Sequence, residues 1–184
     1  MSNPLEAIFN MMKISFDNTN EPKSPLHVIE VGDCWTYLTM VEEFIRYEEI
    51  GLNTTSDDEV KETLIDVTRI CESQIKRLSN FMKNEGIPFP DVSSTKPNSD
   101  PTDVPLGVKL TDEEITNGLA FKLVACSQFC AKGQANAIRN DVGTMWIEFF
   151  FEWAVFGATL KTLMRKRGWL KVPPYYYPPG SPQK

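Results

Sequence analysis

The sequence contains a single histidine, His27, among its 184 residues. A di-iron centre in a four-helix bundle needs a Glu-x-x-His pair on each of two helices, so one histidine excludes it. The four cysteines include no C-x-x-C pair, and the sequence has no glycine-rich phosphate-binding loop and no G-x-S-x-G motif. No arrangement of residues therefore dictates a reaction. We expect a non-catalytic protein without a cofactor, although an enzyme assembled only by the fold stays open.

Basic residues are also in short supply. The chain has 19 lysines and arginines against 25 acidic residues, a formal charge of -6 and an isoelectric point near 4.9. Binding to phosphate backbones requires clustered lysine and arginine, so we expect no nucleic-acid partner.

Long uninterrupted hydrophobic runs are missing as well. The most apolar window, residues 145–160, is interrupted by Glu148 and Glu152, and the N-terminus lacks the basic start and apolar run of a signal peptide. We interpret the two glutamates as a solvated acidic edge. We expect a cytoplasmic protein with no membrane partner and with reduced thiols.

Capping residues and helix breakers, by contrast, are abundant and clearly spaced. They predict one domain spanning 1–184, with a short N-terminal helical arm over 3–18 and a four-helix bundle after it. Ser24-Pro25 and Gly51 delimit helix A, and a capping box at Ser56 and Gly86 delimit helix B. The predicted helices are A over 24–51, B over 56–86, C over 111–139 and D over 140–168, with Asn140 or Asp141 capping helix D.

The segment 87–110 contains five prolines and cannot form a regular helix. At roughly 3 Å per residue it is long enough to run the full length of a bundle helix, which lets helices B and C lie parallel. An all-α fold with one long crossover between helices B and C is typical of ferritin-like four-helix bundles.

Two features indicate protein partners. Helix D carries Ile147, Phe151 and Val155 outside its core stripe, which is typical of a helix that is central or lies at a subunit interface. The tail 169–184 surrounds Tyr175, Tyr176 and Tyr177 with prolines and favours polyproline II. It is either a strap along the bundle or a ligand for an aromatic-lined groove. We expect a homo-oligomer.

Two sets of residues could hold a metal, and each also has a plainer interpretation as packing. His27 and Glu30 lie one turn apart at the start of helix A. Each cysteine falls on the core stripe of its helix, near its middle, where thiols could bind a metal, form a redox pair or simply pack. These four residues are Cys34, Cys71, Cys126 and Cys130.

Several segments of the chain resemble an uncharacterised, spore-coat-protein-like family of endospore-forming bacteria. They are H-V-I-E-V-G-D-C-W-T-Y-L, N-E-G-I-P-F-P, P-L-G-V-K-L-T-D-E-E-I-T-N-G-L, I-R-N-D-V-G and R-G-W-L-K-V-P-P-Y-Y-Y-P-P-G. The resemblance runs from about residue 5 to residue 180, and it implies a ferritin-like helical bundle and a connection with the spore. It assigns no role to any residue. The sequence thus predicts a structural or interaction protein, with a metal- or thiol-dependent bundle as the alternative.

Overall fold

The computed structural model describes residues 23–179, so the predicted arm over 3–18 and the end of the tail lie outside the described residues. The described part is an all-α bundle, as predicted, with four long helices and no strand. The helices are α1 (Val28–Thr54), α2 (Asp58–Glu85), α3 (Asp112–Asn136) and α4 (Asn140–Arg167).

Contacts between helix ends show how the four helices run. Tyr47, near the end of α1, donates a hydrogen bond of 3.1 Å to the carbonyl of Glu114 at the start of α3. Arg167, at the end of α4, pairs at 2.8 Å with Asp57, just before α2. Thus α1 is antiparallel to α3, and α2 is antiparallel to α4. Since a three-residue turn also reverses the chain between α1 and α2, α2 and α3 are parallel.

The crossover between α2 and α3 makes this parallel arrangement possible. It runs along the outside of α1 and is held by side chains of that helix. Backbone N–H groups of Ser93 and Lys96 donate to Glu43 and Glu49 at 3.0 and 2.8 Å, and Ser99 N–H donates to Asn53 at 2.9 Å. The prediction of a long extended crossover is confirmed.

Helices α1 and α2 begin later than the sequence predicted. The N-cap of α1 is His27, whose side chain accepts a hydrogen bond from the N–H of Ile29, and Glu30 closes a capping box. The N-cap of α2 is Asp57, which accepts from two backbone N–H groups of the first turn. Ser24 and Ser56 were therefore the wrong caps, because residues closer to each helix supply the acceptors.

Gly51 was predicted to end α1, but it lies buried inside this helix. A β-carbon at this position would come within 3.0 Å of both methyl groups of Leu64 on α2. Glycine is therefore used here for close approach of two helices, and α1 continues to Thr54. The predicted stops at Gly86 and Gly168 are correct, and both adopt the left-handed conformation that favours glycine.

The turn between α3 and α4 also differs from the prediction. Helix α3 starts with the predicted capping box of Thr111 and Glu114 but ends at Asn136, three residues early. Arg139 occupies the N-cap of α4 and makes no side-chain capping bond, so neither Asn140 nor Asp141 is the cap. The chain leaves the helix here because the carboxylate of Glu30 on α1 binds the backbone of this turn.

The core between α3 and α4 combines small with bulky side chains. Trp146 is fully buried and packs on Gly133, where a β-carbon would lie 2.7 Å from its ring. In the same way Leu123 packs on Gly157. These close approaches bring α3 and α4 together along their length.

Candidate functional site

His27 and Glu30 form a structural joint. Glu30 is buried, and its carboxylate accepts hydrogen bonds from the backbone N–H groups of His27, Ile138 and Arg139 at 2.8, 2.8 and 2.9 Å. Burial raises the pKa of Glu30, but these hydrogen bonds outweigh it and leave the pKa below its usual value. His27 is exposed and caps α1. The pair thus fastens the start of α1 to the turn between α3 and α4.

Cys34 lies apart from the middle of the bundle. It is the seventh of the 27 residues of α1, so the prediction that each cysteine lies near the middle of its helix is wrong for Cys34. Its helix is shifted toward the C-terminus relative to the predicted bounds, which moves Cys34 nearer to the helix start. Burial, helped by the negative charge of Asp33, raises the pKa of Cys34 to about 12. The Cys34 thiol therefore keeps its proton at neutral pH.

The other three cysteines do lie near one another in the core. Cys126 interacts electrostatically with Cys71 on α2 and with Cys130 one turn further along α3. Burial raises the pKa of both Cys126 and Cys130 to about 12. All four cysteines are free thiols. Within residues 23–179, no three or more histidine, cysteine or acidic side chains are grouped so that they could hold a metal ion.

Lys122 is the central charged group that the sequence reasoning missed. It lies on α3, and its side chain is only 2% exposed. Its Nζ forms an ion pair with Glu48 of α1, donates to Cys71 Sγ at 3.0 Å and lies 5.4 Å from the ring centres of Phe44 and Trp153. Burial lowers the pKa of Lys122 to about 7, and only the electrostatic interaction with Cys126 opposes this shift.

A signal for this pair was present in the sequence. Lys122 lies between Leu119 and Cys126 at helical spacing, and Glu48 follows Ile45 on the core stripe of α1. Two opposite charges on the apolar stripes of different helices indicate a buried ion pair, because a charge is rarely buried unless it is paired.

Tyr37 is the centre of a second buried polar group, one layer away. Its hydroxyl donates to Gln74 Oε1 at 2.6 Å and accepts from Trp153 Nε1 at 2.7 Å. The thiol of Cys130 lies 3.5 Å away. The Gln74 amide donates to Glu152 at 2.8 Å, which connects this group to the surface.

The two glutamates that were interpreted as a solvated acidic edge have different roles. Glu152 accepts two hydrogen bonds from Arg77, of 2.6 and 2.7 Å, in addition to the one from Gln74. Glu148 is exposed and lies 3.5 Å from Arg77. The interpretation therefore holds for Glu148 and is wrong for Glu152, because the arginine and glutamine of α2 draw the latter into the polar network.

Four buried polar groups at the centre of the bundle are paired with one another, and this bears on what they can do. Glu48, Lys122, Tyr37 and Gln74 are all nearly inaccessible, and each contacts another of the network. A substrate would have to displace core side chains to reach them. The arrangement is that of a structural network that specifies which helix faces meet.

The outer face of α4 carries the apolar residues that the sequence analysis assigned to a possible interface. Phe151 and Val155 are 40% and 70% exposed, and Phe150 contacts Phe151 edge-on, whereas Ile147 is half-buried. From Ile147 to Ala158, the charged residues of α4 are Glu148 and Glu152, and both lie at the edge of this face beside Arg77.

The tail leaves the bundle after two anchoring residues. Trp169 and Leu170 pack against the core, and Lys171 pairs with Glu113. The three tyrosines of the tail then lie exposed between prolines. The described tail is therefore a strap over its first residues only.

No helix within the described residues is long and apolar enough to span a membrane.

Comparison with known proteins gives three similarities. Residues 15–181 match the family described as "Protein of unknown function (DUF3231)". The uncharacterised protein YvdQ of Bacillus subtilis is 29% identical over 157 residues, which cover 85% of this chain and 92% of YvdQ. A crystal structure from Bacillus halodurans, described as a "putative spore coat protein", has a TM-score of 0.81 and 25% identity, and the match covers 84% of this chain and 97% of that one. The resemblance stated from the sequence is confirmed.

Proposed function

Since the chain belongs to the DUF3231 family, of unknown function, we propose that it is a non-catalytic structural protein associated with the spore, built to assemble with other copies of itself. The observation that carries this proposal is the similarity, over nearly its whole length, to the "putative spore coat protein" from Bacillus halodurans. The two buried polar pairs, Tyr37–Gln74 and Glu48–Lys122, support the non-catalytic part, because these groups contact one another rather than a cleft.

We further propose that a second copy of the chain covers the outer face of α4. Phe151 and Val155 expose apolar surface there, and the exposed Ala154 and Ala158 beside them are small enough to let another helix approach closely. A symmetric dimer needs only one self-complementary patch, and an uncharged helix face is such a patch. The same proposal includes two further statements. The bundle is ferritin-like, and the protein is cytoplasmic before it assembles.

Fractionation of purified spores tests the association with the spore. An antibody raised against the protein should detect it in the coat extract of spores from the organism that makes it. A soluble marker enzyme of the same cells serves as the control and should be absent from that extract. Detection of the protein in the cell lysate with none in the coat extract would overturn the proposal.

A further inference from the structure

Cys71 and Lys122 bring a thiol and an amine together in the middle of the bundle. Lys122 Nζ lies 3.0 Å from Cys71 Sγ, and the cysteine is completely buried. Cys71 belongs to α2 and Lys122 to α3, the two parallel helices on opposite corners of the bundle. A covalent bond between them would therefore join helices that are not neighbours.

The surroundings of Lys122 favour reaction of its nitrogen. Burial lowers the pKa of Lys122 to about 7, so part of the population carries a neutral amine with a free electron pair at neutral pH. The Glu48 carboxylate contacts Nζ and can take up the proton that the nitrogen loses when it reacts. The rings of Phe44 and Trp153 exclude water from the contact.

We propose that oxidation by a peroxide joins Cys71 Sγ to Lys122 Nζ through one oxygen atom, as an N–O–S bridge. Sulfur and nitrogen each lose one hydrogen and two electrons, and two molecules of hydrogen peroxide accept the four electrons. One peroxide oxygen remains in the bridge, and the other three leave as three molecules of water. The first step is oxidation of the thiol to a sulfenic acid, the usual first product of peroxide with cysteine. Burial raises the pKa of Cys71 well above its ordinary value, so this step is slow and requires transient opening of the core.

The contact distance favours this bridge over a direct bond between nitrogen and sulfur. A direct N–S bond would require Sγ and Nζ to approach much more closely than 3.0 Å, whereas one inserted oxygen spans the gap without movement of the helices. Cys34 has carboxylates as its charged neighbours, Asp33, Glu30 and Glu85, so it offers a thiol of similar burial without the amine.

The bridge has a consequence for stability. It closes the loop from Cys71 to Lys122, which contains the whole crossover, and thereby restricts the unfolded chain. The oxidised protein should unfold at a higher urea concentration than the reduced protein. A dithiol should reverse the shift, because it returns the thiol and the amine.

Mass spectrometry of peroxide-treated native protein tests the proposal. After digestion without reductant, the peptides containing Cys71 and Lys122 should appear as one species, heavier than their sum by one oxygen and lighter by two hydrogens. Reduction should separate them. The variant Cys34→Ala should form the bridge, and Cys71→Ser, which keeps a small polar group beside Lys122, should not.

Other outcomes would overturn the proposal. They are a disulfide from Cys71 to Cys126, a linked pair without the additional oxygen, a Cys71 oxidised to sulfinic acid with Lys122 unmodified, and unmodified peptides under conditions that fully oxidise the thiols of the urea-unfolded protein. None of these readouts depends on the fold of a Lys122 variant.

Discussion

At the scale of single residues, Tyr37 connects three other helices through one hydroxyl group. Its oxygen contacts Gln74 of α2, Trp153 of α4 and Cys130 of α3. Burial raises the pKa of Tyr37 well above its usual value, so the hydroxyl keeps its proton and can both donate and accept. The ring also lies 5.1 Å from Trp146, edge-on.

We predict that Tyr37→Phe lowers the free energy of unfolding by about 1–3 kcal/mol, because Gln74 and Trp153 would each retain a buried polar atom without its partner. Urea denaturation followed by tryptophan fluorescence measures the loss. Tyr176→Phe is the matched control, since Tyr176 is exposed and its loss should change stability by less than about 0.5 kcal/mol. Equal effects of the two substitutions would contradict the network.

Two glycines make a second matched pair. Gly133→Ala places a methyl group against the buried Trp146 and should destabilise the fold by about 1–3 kcal/mol, the usual cost of overpacking. Gly32→Ala lies on the exposed side of α1 with no atom within 4 Å, and it should stabilise the fold by up to about 1 kcal/mol. Thermal and urea denaturation measure both. Stabilisation by Gly133→Ala would contradict the packing of α3 on α4.

The sequence predicted core positions better than it predicted polar contacts. Helical spacing correctly assigned Cys71, Cys126 and Cys130 to the core, because burial of an apolar stripe follows from period alone. The partners of Lys122 and Tyr37 come from other helices and depend on the rotation of each helix about its axis. Spacing within one helix contains no information on that rotation.

At the scale of helices, the Glu48–Lys122 pair fixes α1 against α3. Lys122→Met should lower the free energy of unfolding by about 3–5 kcal/mol, because it leaves the Glu48 charge buried without a partner. The double variant with Glu48→Met should recover most of this loss, since two apolar side chains replace the whole pair. Urea denaturation of the two single variants and the double variant measures the coupling. If the double variant lost as much stability as the two single variants together, a direct interaction between Glu48 and Lys122 would be contradicted.

The joint between α1 and the turn before α4 should make stability depend on pH. The folded-state pKa of Glu30 lies below its usual value of 4.5, so its ionised form contributes stability above that pH and loses it as the pH falls through the folded-state pKa. Glu30→Gln should cost about 1.5–3 kcal/mol at neutral pH. The difference from the wild type should shrink in acid. Urea midpoints of the wild type and of Glu30→Gln, measured from neutral pH down through the folded-state pKa, give this difference. A stability difference that does not change with pH would contradict the prediction.

The ends of helices were predicted correctly where the signal is local and wrongly where it is not. Gly86 and Gly168 end their helices because the left-handed conformation is a property of the residue itself. Gly51 was a wrong stop because its role, a close approach to Leu64, involves a helix that starts seven residues later. Asn136 ends α3 early because Glu30, more than 100 residues away, binds the turn.

At the scale of the whole molecule, the crossover determines the topology. Its prolines exclude a helix, and its length lets α2 and α3 run parallel, so the architecture followed from the sequence. The function did not, because within residues 23–179 neither the sequence nor the fold singles out a set of polar side chains in an accessible cleft. The informative surface is the outer face of α4. Association through this face would have to overcome the repulsion between two copies that each carry a formal charge of -6.

This charge leads to a prediction about salt. Self-association through an uncharged face should strengthen as salt rises from low concentration, because screening weakens the repulsion between two acidic copies while the apolar contact is unaffected. Sedimentation velocity at several sodium chloride concentrations measures the change. Dissociation by added salt would instead indicate an interface built from ion pairs.

The central claim is that copies of the chain associate through the outer face of α4. Sedimentation equilibrium of three proteins tests it most directly. The wild type should self-associate, and Phe151→Lys should be monomeric because it places a charge in the outer face of α4. Ile65→Lys is the matched control, as Ile65 is also 40% exposed but lies on α2, and it should associate like the wild type. A wild-type protein that stays monomeric over a wide concentration range, or an association that Phe151→Lys leaves unchanged, would contradict the account.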